Sequence, residues 1–341
     1  MTDGPVARGF EVRPRTIVIA MVAIAVVAAI VLALSLMDFT RPGSIEFAEL
    51  AEGQTVGLAG VFPPEGEPPL ANPLGIVWDG ERLYVAESDA GIVRVYDERG
   101  GVIGAITIPV AEGVPSAYPA VLAVAGDRLA VVDNAAMRVV VMSADPAAET
   151  DAGDLEAASG ASAPAVLFAL GEEGDPPRQP TAVTVYGDEY FVADAADSDI
   201  KVYDAGGRFV RSIAGDLSPR LTYVGGMVVD DRGLCVVDSN AGRVLIVDPG
   251  TGEEVLECEE RFTLPRAIVS LGEGAAVVDA FARSVSIIDA DGALAESIDA
   301  GTVPEGSMAS PRGVAWVPDP GRLYVTDTAS GVVVVFNLRL P

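Results

Sequence analysis

Short apolar runs recur along the chain from residue 55 onward, and polar turns rich in Gly and Asp separate them. "YVAESDAGIVRVYDERGGVI" (84–103) and "FVADAADSDIKVYDAGGRFV" (191–210) share one layout: an apolar run ended by an acid, a turn, a second run ended by Asp, and a Gly-containing turn. Two further copies begin "CVVDSNAGRVLIVD" and "AVVDAFARSVSIID". Aligning the acid that closes the first run gives Glu87, Asp133, Asp194, Asp238, Asp279 and Asp327, separated by 46, 61, 44, 41 and 48 residues. The residue closing the next run is Asp97, Asp145, Asp204, Asp248, Asp289 or Asn337, at offsets of 10, 12, 10, 10, 10 and 10. A period of this length marks a repeat architecture.

Another apolar run stands upstream of each pair, as in "PTAVTVYGD" (180–188) and "PRGVAWVPDPG" (311–321). Five of the six begin with Pro, which suits the first residue of a strand because its missing N–H costs nothing there. A fourth run follows each pair, such as "RFVRSIAG" (208–215). Each unit therefore reads as four short antiparallel strands. Such sheets repeated radially make a β-propeller, here with six blades. The runs are nearly continuous in apolar character because both faces of each sheet meet a neighbour. The last unit lacks its fourth strand, and "TVGLAGV" (55–61) stands unpaired before the first. Residues 55–61 are predicted to complete the last blade and close the ring, removing a free edge.

The pattern P-x-G-I/V-A, L-Y-V-A-D, I-x-V-Y-D and Gly resembles the NHL repeat across residues 55–341, most clearly at 73–108, 180–215 and 311–337. "LYVTDTASGVVVVFN" is also similar to YVTN-type surface propellers. Unit two departs most: "SADPAAETDAGDLEAASGASA" (143–163) intrudes before its fourth strand and reads as a mobile acidic loop.

Residues 16–37, "TIVIAMVAIAVVAAIVLALSLM", carry no charge and are long enough to cross a bilayer as a helix. Arg8, Arg13 and Arg15 precede them, which orients residues 1–15 to the cytoplasm and the rest outside. A cleaved signal peptide is the competing reading, but its apolar region would be shorter. The expected organisation is a cytoplasmic N-terminus (1–15), a transmembrane helix (16–37), a juxtamembrane stalk (38–53) and a propeller (54–341), placed at the cell membrane.

Charge and composition narrow the chemistry. The net charge is −28, with 50 acids against 22 bases, and Lys201 is the single lysine. Such a surface repels phosphate backbones, so nucleic acid is not an expected partner. Histidine is absent, which removes Ser-His-Asp and Cys-His catalysis and His-ligated metals. The NHL-like amidating lyases and the paraoxonase-like lactonases use histidine, so the resemblance to them is one of fold. Lactonases of the gluconolactonase type instead set carboxylates and Asn around a divalent ion. Cys235 and Cys258 fall in the second and fourth strands of one blade, about 9–10 Å apart, too far for a disulfide.

The acidic series sits at the start of the connections between second and third strands. Two readings stay open for Glu87, Asp133, Asp194, Asp238, Asp279 and Asp327: turn caps accepting backbone N–H bonds, or a cation site in which Ca2+ is possible. No other cofactor is expected. On the same face, the connections leading into first strands bring Tyr118, Arg178, Tyr223, Arg266 and Arg312, candidates for binding an anionic group. The expected function is a binding, scaffold or sensor module for an anionic ligand or a protein partner in the membrane or envelope. The alternative is a divalent-cation-dependent extracytoplasmic hydrolase or lyase of the lactonase type.

Overall fold

The computed structural model describes residues 45–148, 166–172, 174–303 and 308–340. The expected cytoplasmic N-terminus and transmembrane segment, and most of the acidic stretch 143–163, lie outside the described residues. Among the described residues no helix is long and apolar enough to cross a membrane.

Six antiparallel sheets form a β-propeller. Blade 1 is built from Pro73–Trp78, Leu83–Glu87, Ile92–Tyr96 and Val102–Thr107. Blade 2 holds Pro119–Ala125, Arg128–Asp133, Arg138–Ser143 and Val166–Ala169, and blade 3 holds Pro180–Tyr186, Glu189–Asp194, Asp199–Tyr203 and Phe209–Ile213. Blade 4 runs Val224–Asp230, Gly233–Asp238, Arg243–Val247 and Glu254–Glu257, and blade 5 runs Pro265–Gly272, Gly274–Asp279, Ser284–Ile288 and Leu294–Asp299. Blade 6 has Pro311–Val317, Arg322–Asp327 and Val332–Leu338, and takes its fourth strand, Val56–Phe62, from the start of the domain. Val56 pairs with Leu338 and Phe62 with Val333, so the predicted closure is the one observed. The first strands touch in ring order, blade 6 against blade 1 included, and so line the axis.

Side-chain alternation explains why the runs of the second and third strands are apolar nearly throughout. Leu83 and Val85 of blade 1 join the cluster shared with blade 6, while Tyr84 and Ala86 join the cluster shared with blade 2. Six such clusters exist, one at each blade–blade seam. The seams also share a turn device. Gly207, at φ +82°, brings the blade 3 hairpin so close to blade 2 that a Cβ would lie 2.6 Å from Phe168. Gly100, at φ +76°, does the same over Phe62, where a Cβ would lie 2.8 Å away. Blade 1 thus docks on the closing strand as blade 3 docks on an ordinary fourth strand.

Two stretches pad outer edges. Backbone at Ala147–Ala148 adds a fifth strand to blade 1, opposite Ala105 and Gly104. The expected stalk, 38–53, is described from Ile45, and that part lies against the propeller. Ile45 N–H donates to Arg99 O (3.0 Å), Ala48 N–H to Ala59 O (2.8 Å), and Phe47 sits under the Arg322 guanidinium at 4.7 Å. The physical reason is apolar: Ile45 and Phe47 pack on the blade 6–blade 1 core. Both cysteines are free, as expected; both are buried, and burial pushes the Cys235 thiol up to about 12.

Candidate functional site

The acidic series tethers each blade's entry to its own second strand. All six carboxylates are at most 3% exposed. Each accepts N–H bonds from the residues that lead into its blade: Ala71 to Glu87 (3.0 Å), Tyr118 to Asp133 (2.9 Å), and Arg178 and Gln179 to Asp194 (2.7 and 2.9 Å). Thr222 and Tyr223 donate to Asp238, both at 3.2 Å. Asp279 accepts from Thr263, Leu264, Phe281 and Ala282, and Asp327 from Ser310, Ala329 and Ser330. In every blade the N–H after the acid donates back to the entering segment, as Asn134 does to Tyr118 O at 3.0 Å. Among the described residues no group of three or more acids and cysteines is arranged to hold a metal ion.

Four blades place a base beside the acid. Arg138 and Arg243, five residues after Asp133 and Asp238, lie directly across the ladder and pair at 3.1 and 3.3 Å. Arg94 and Lys201, seven residues after Glu87 and Asp194, lie one step further on the same face and pair there. Blades 5 and 6 have no base at either place. Their acids rely on the additional turn N–H groups.

Lys201 is the most enclosed of these bases, 2% exposed. Its ammonium reaches Asp197 at 3.0 Å, Asp175 at 3.2 Å and Asp194 at 3.3 Å, and donates to Pro176 O. Burial alone would lower its pKa; the hydrogen bonds to Asp197, Asp175 and Asp194 outweigh that and raise it to about 12. The same ammonium holds the Asp197 carboxyl below the usual range.

Blade 3 also carries a conflict. Asp199 stands directly across from Asp194, where blades 2 and 4 have Arg138 and Arg243. One Asp199 oxygen and the Thr181 hydroxyl are buried without a partner, and both residues line a cavity of about 10 Å³ against blade 4. Burial, reinforced by Asp197 and Asp194, pushes the Asp199 carboxyl above its ordinary value. A raised acid pKa opposes folding at neutral pH; the penalty shrinks once pH falls below the folded value and is gone below the ordinary 3.8. Asp199→Asn is expected to raise the melting temperature at pH 7 by a few degrees, with the gap to wild type closing on acidification. A lower melting temperature at pH 7 would refute the account.

The anion candidates divide. Arg178 is 66% exposed at its side chain and pairs with Asp197 at 2.7 Å. The Tyr118 hydroxyl accepts from Asn72 Nδ2 at 2.8 Å. Tyr223, Arg266 and Arg312 come together. Arg266 and Arg312 are the second residues of neighbouring first strands, where the pairing register slips by one residue. This bulge position recurs in all six blades, occupied elsewhere by Leu74, Ala120, Thr181 and Gly225. The Arg266 guanidinium lies 5.7 Å from the centre of the Tyr223 ring. The Nε of each arginine is buried and unpartnered, and neither guanidinium has an acidic partner among the described residues. Burial and the neighbouring Arg312 charge push the Arg266 guanidinium below its usual range.

No family model matches the sequence, and no curated protein matches it. Solved structures do resemble it. Streptogramin B lyase superposes with a TM-score of 0.56 at 16% identity, over 80% of this chain and 95% of that one. The likeness is one of fold. Virginiamycin B lyase from Staphylococcus aureus gives 0.55 at 13% identity, over 79% and 95% of the two chains. A chain of the nidogen/laminin complex gives 0.55 at 19% identity, over 72% and 85%.

Proposed function

We propose that this chain is a membrane-anchored, extracytoplasmic NHL-like propeller whose axial mouth binds the anionic group of a ligand or protein partner. The observation that carries the reading is the Arg266–Arg312 pair. Two like charges stand side by side, partly desolvated, in a chain with more than twice as many acids as bases. An arrangement that costs stability and goes unpaired is what a site awaiting a counter-charge requires. The anchor is supported by the uncharged run 16–37 and the arginines before it.

A divalent-cation-dependent hydrolase or lyase has less support. Two of the structural neighbours are lyases by name, but their identities are 16% and 13%. The carboxylates that would serve here already accept backbone N–H bonds, and four of them pair with bases.

The test uses the purified full chain and its Arg266→Gln, Arg312→Gln double variant. Without ligand, the double variant is expected to melt about 2–4 °C higher, because like charges have been removed from a half-buried position. Acetate, succinate and phosphate are then compared with chloride at constant ionic strength. Wild type should be stabilised by at least one of them, by about 2.7 kcal/mol at a hundredfold excess over Kd, and the double variant by none. Melting curves indifferent to every anion, or equal responses from both proteins, would sink the reading.

A further inference from the structure

We infer that the group taken by the mouth is doubly charged and tetrahedral: the phosphoryl dianion of a phosphomonoester or of free phosphate. The inference rests on the proposed anion mouth and names its ligand class.

Three features of the site lead there. First, the charge to be met is two, since Arg266 and Arg312 sit at one register position on adjacent strands and neither has an acidic partner among the described residues. A monoanion would leave one guanidinium uncompensated in a half-buried place.

Second, the donors to be satisfied are spread over two forks. Each guanidinium has five N–H groups, and the buried Nε of each lacks an acceptor. A carboxylate has two oxygens, and one fork already occupies both in the bidentate arrangement. A phosphoryl group presents three terminal oxygens in three directions, so it can accept from two forks at once.

Third, at the bulge position that lines the axis, charge is found only in blades 5 and 6. The same bulge position holds Leu74, Ala120, Thr181 and Gly225 in the other four blades, none of them charged. Tyr223 lies against the Arg266 guanidinium and fixes it from the blade 4 side. The phosphoryl group therefore sits at the blade 5–blade 6 side.

The experiment is isothermal titration of the full chain with phenyl phosphate, phenyl sulfate, benzoate and inorganic phosphate at one pH and ionic strength. Phenyl sulfate matches phenyl phosphate in shape and differs in charge, so the pair isolates the dianion. Phenyl phosphate is expected to bind at least roughly tenfold more tightly than phenyl sulfate or benzoate. Arg266→Lys, which keeps the charge and loses the fork, should lower that affinity about tenfold. Inorganic phosphate binding as tightly as phenyl phosphate would assign the site to free phosphate; weaker binding would assign it to a monoester, and either supports the dianion. Equal affinities for phenyl phosphate, phenyl sulfate and benzoate would overturn this inference and leave the anion mouth standing. Binding of none of the four would overturn both.

Discussion

Lys201→Met is expected to lower the melting temperature by roughly 6–20 °C. Removing one member of a buried ion pair costs about 3–5 kcal/mol, and each kcal/mol corresponds to about 2–4 °C in a domain of this order of size. The cost arises on the acid side. Asp194 is 1% exposed, and without the ammonium it keeps only its N–H donors while Asp197 and Asp175 lose their shared counter-charge. The pH dependence has a fixed sign. The pKa of Lys201 rises from its ordinary 10.5 to about 12, so its contribution is complete below 10.5 and lost as pH rises through about 12. The lowered Asp197 adds stability above its ordinary 3.8 that is lost as pH falls through its folded value. Adding Asp194→Asn to Lys201→Met should recover part of the loss, as a coupled pair in a double-mutant cycle does. A drop under about 2 °C would place the cluster with exposed ion pairs, which contribute about 0–1 kcal/mol.

Phe62→Ala should be of similar size, for a different reason. Phe62 is fully buried at the end of the closing strand, with its ring centre 5.0 Å from Tyr96 of blade 1 and 6.3 Å from Tyr324 of blade 6. Truncating such a ring costs about 3–5 kcal/mol, part of it for the cavity left behind. Because this strand closes the ring, the loss should appear as one cooperative transition at lower temperature. Two transitions, with an early one confined to residues 45–62, would show that the segment only adheres to a propeller already stable without it.

The fold was legible because a propeller writes its geometry into the sequence several times over. The second and third strands of each blade face two cores, so their runs are apolar nearly throughout, and six acids at nearly fixed offsets give the phase. Even the closure could be read, since blade 6 lacked a strand and residues 55–61 lacked a partner. The site was legible only in part. Arg266 and Arg312 stood out because each directly follows the Pro that opens a first strand. Arg178, equally conspicuous, pairs with Asp197 across a connection whose path no spacing rule gives. The bases at five and seven residues after the acid were visible as residues but not as partners. Recognising them requires knowing that the third strand begins opposite the acid, so that both places share one face. Asp199 was hidden for the same reason: its conflict with Asp194 exists only in that register.

Lys201 has a consequence for chemical labelling. As the chain's single lysine, enclosed by three carboxylates, it is the one primary amine in the propeller, and it is shielded while the domain is folded. Amine-directed reagents will leave the native blades untouched and modify Lys201 only when blade 3 opens. Lysine acylation followed by mass spectrometry thus becomes a single-site clock for opening. Capture of a partner calls for reagents aimed at carboxylates, which this surface offers in abundance.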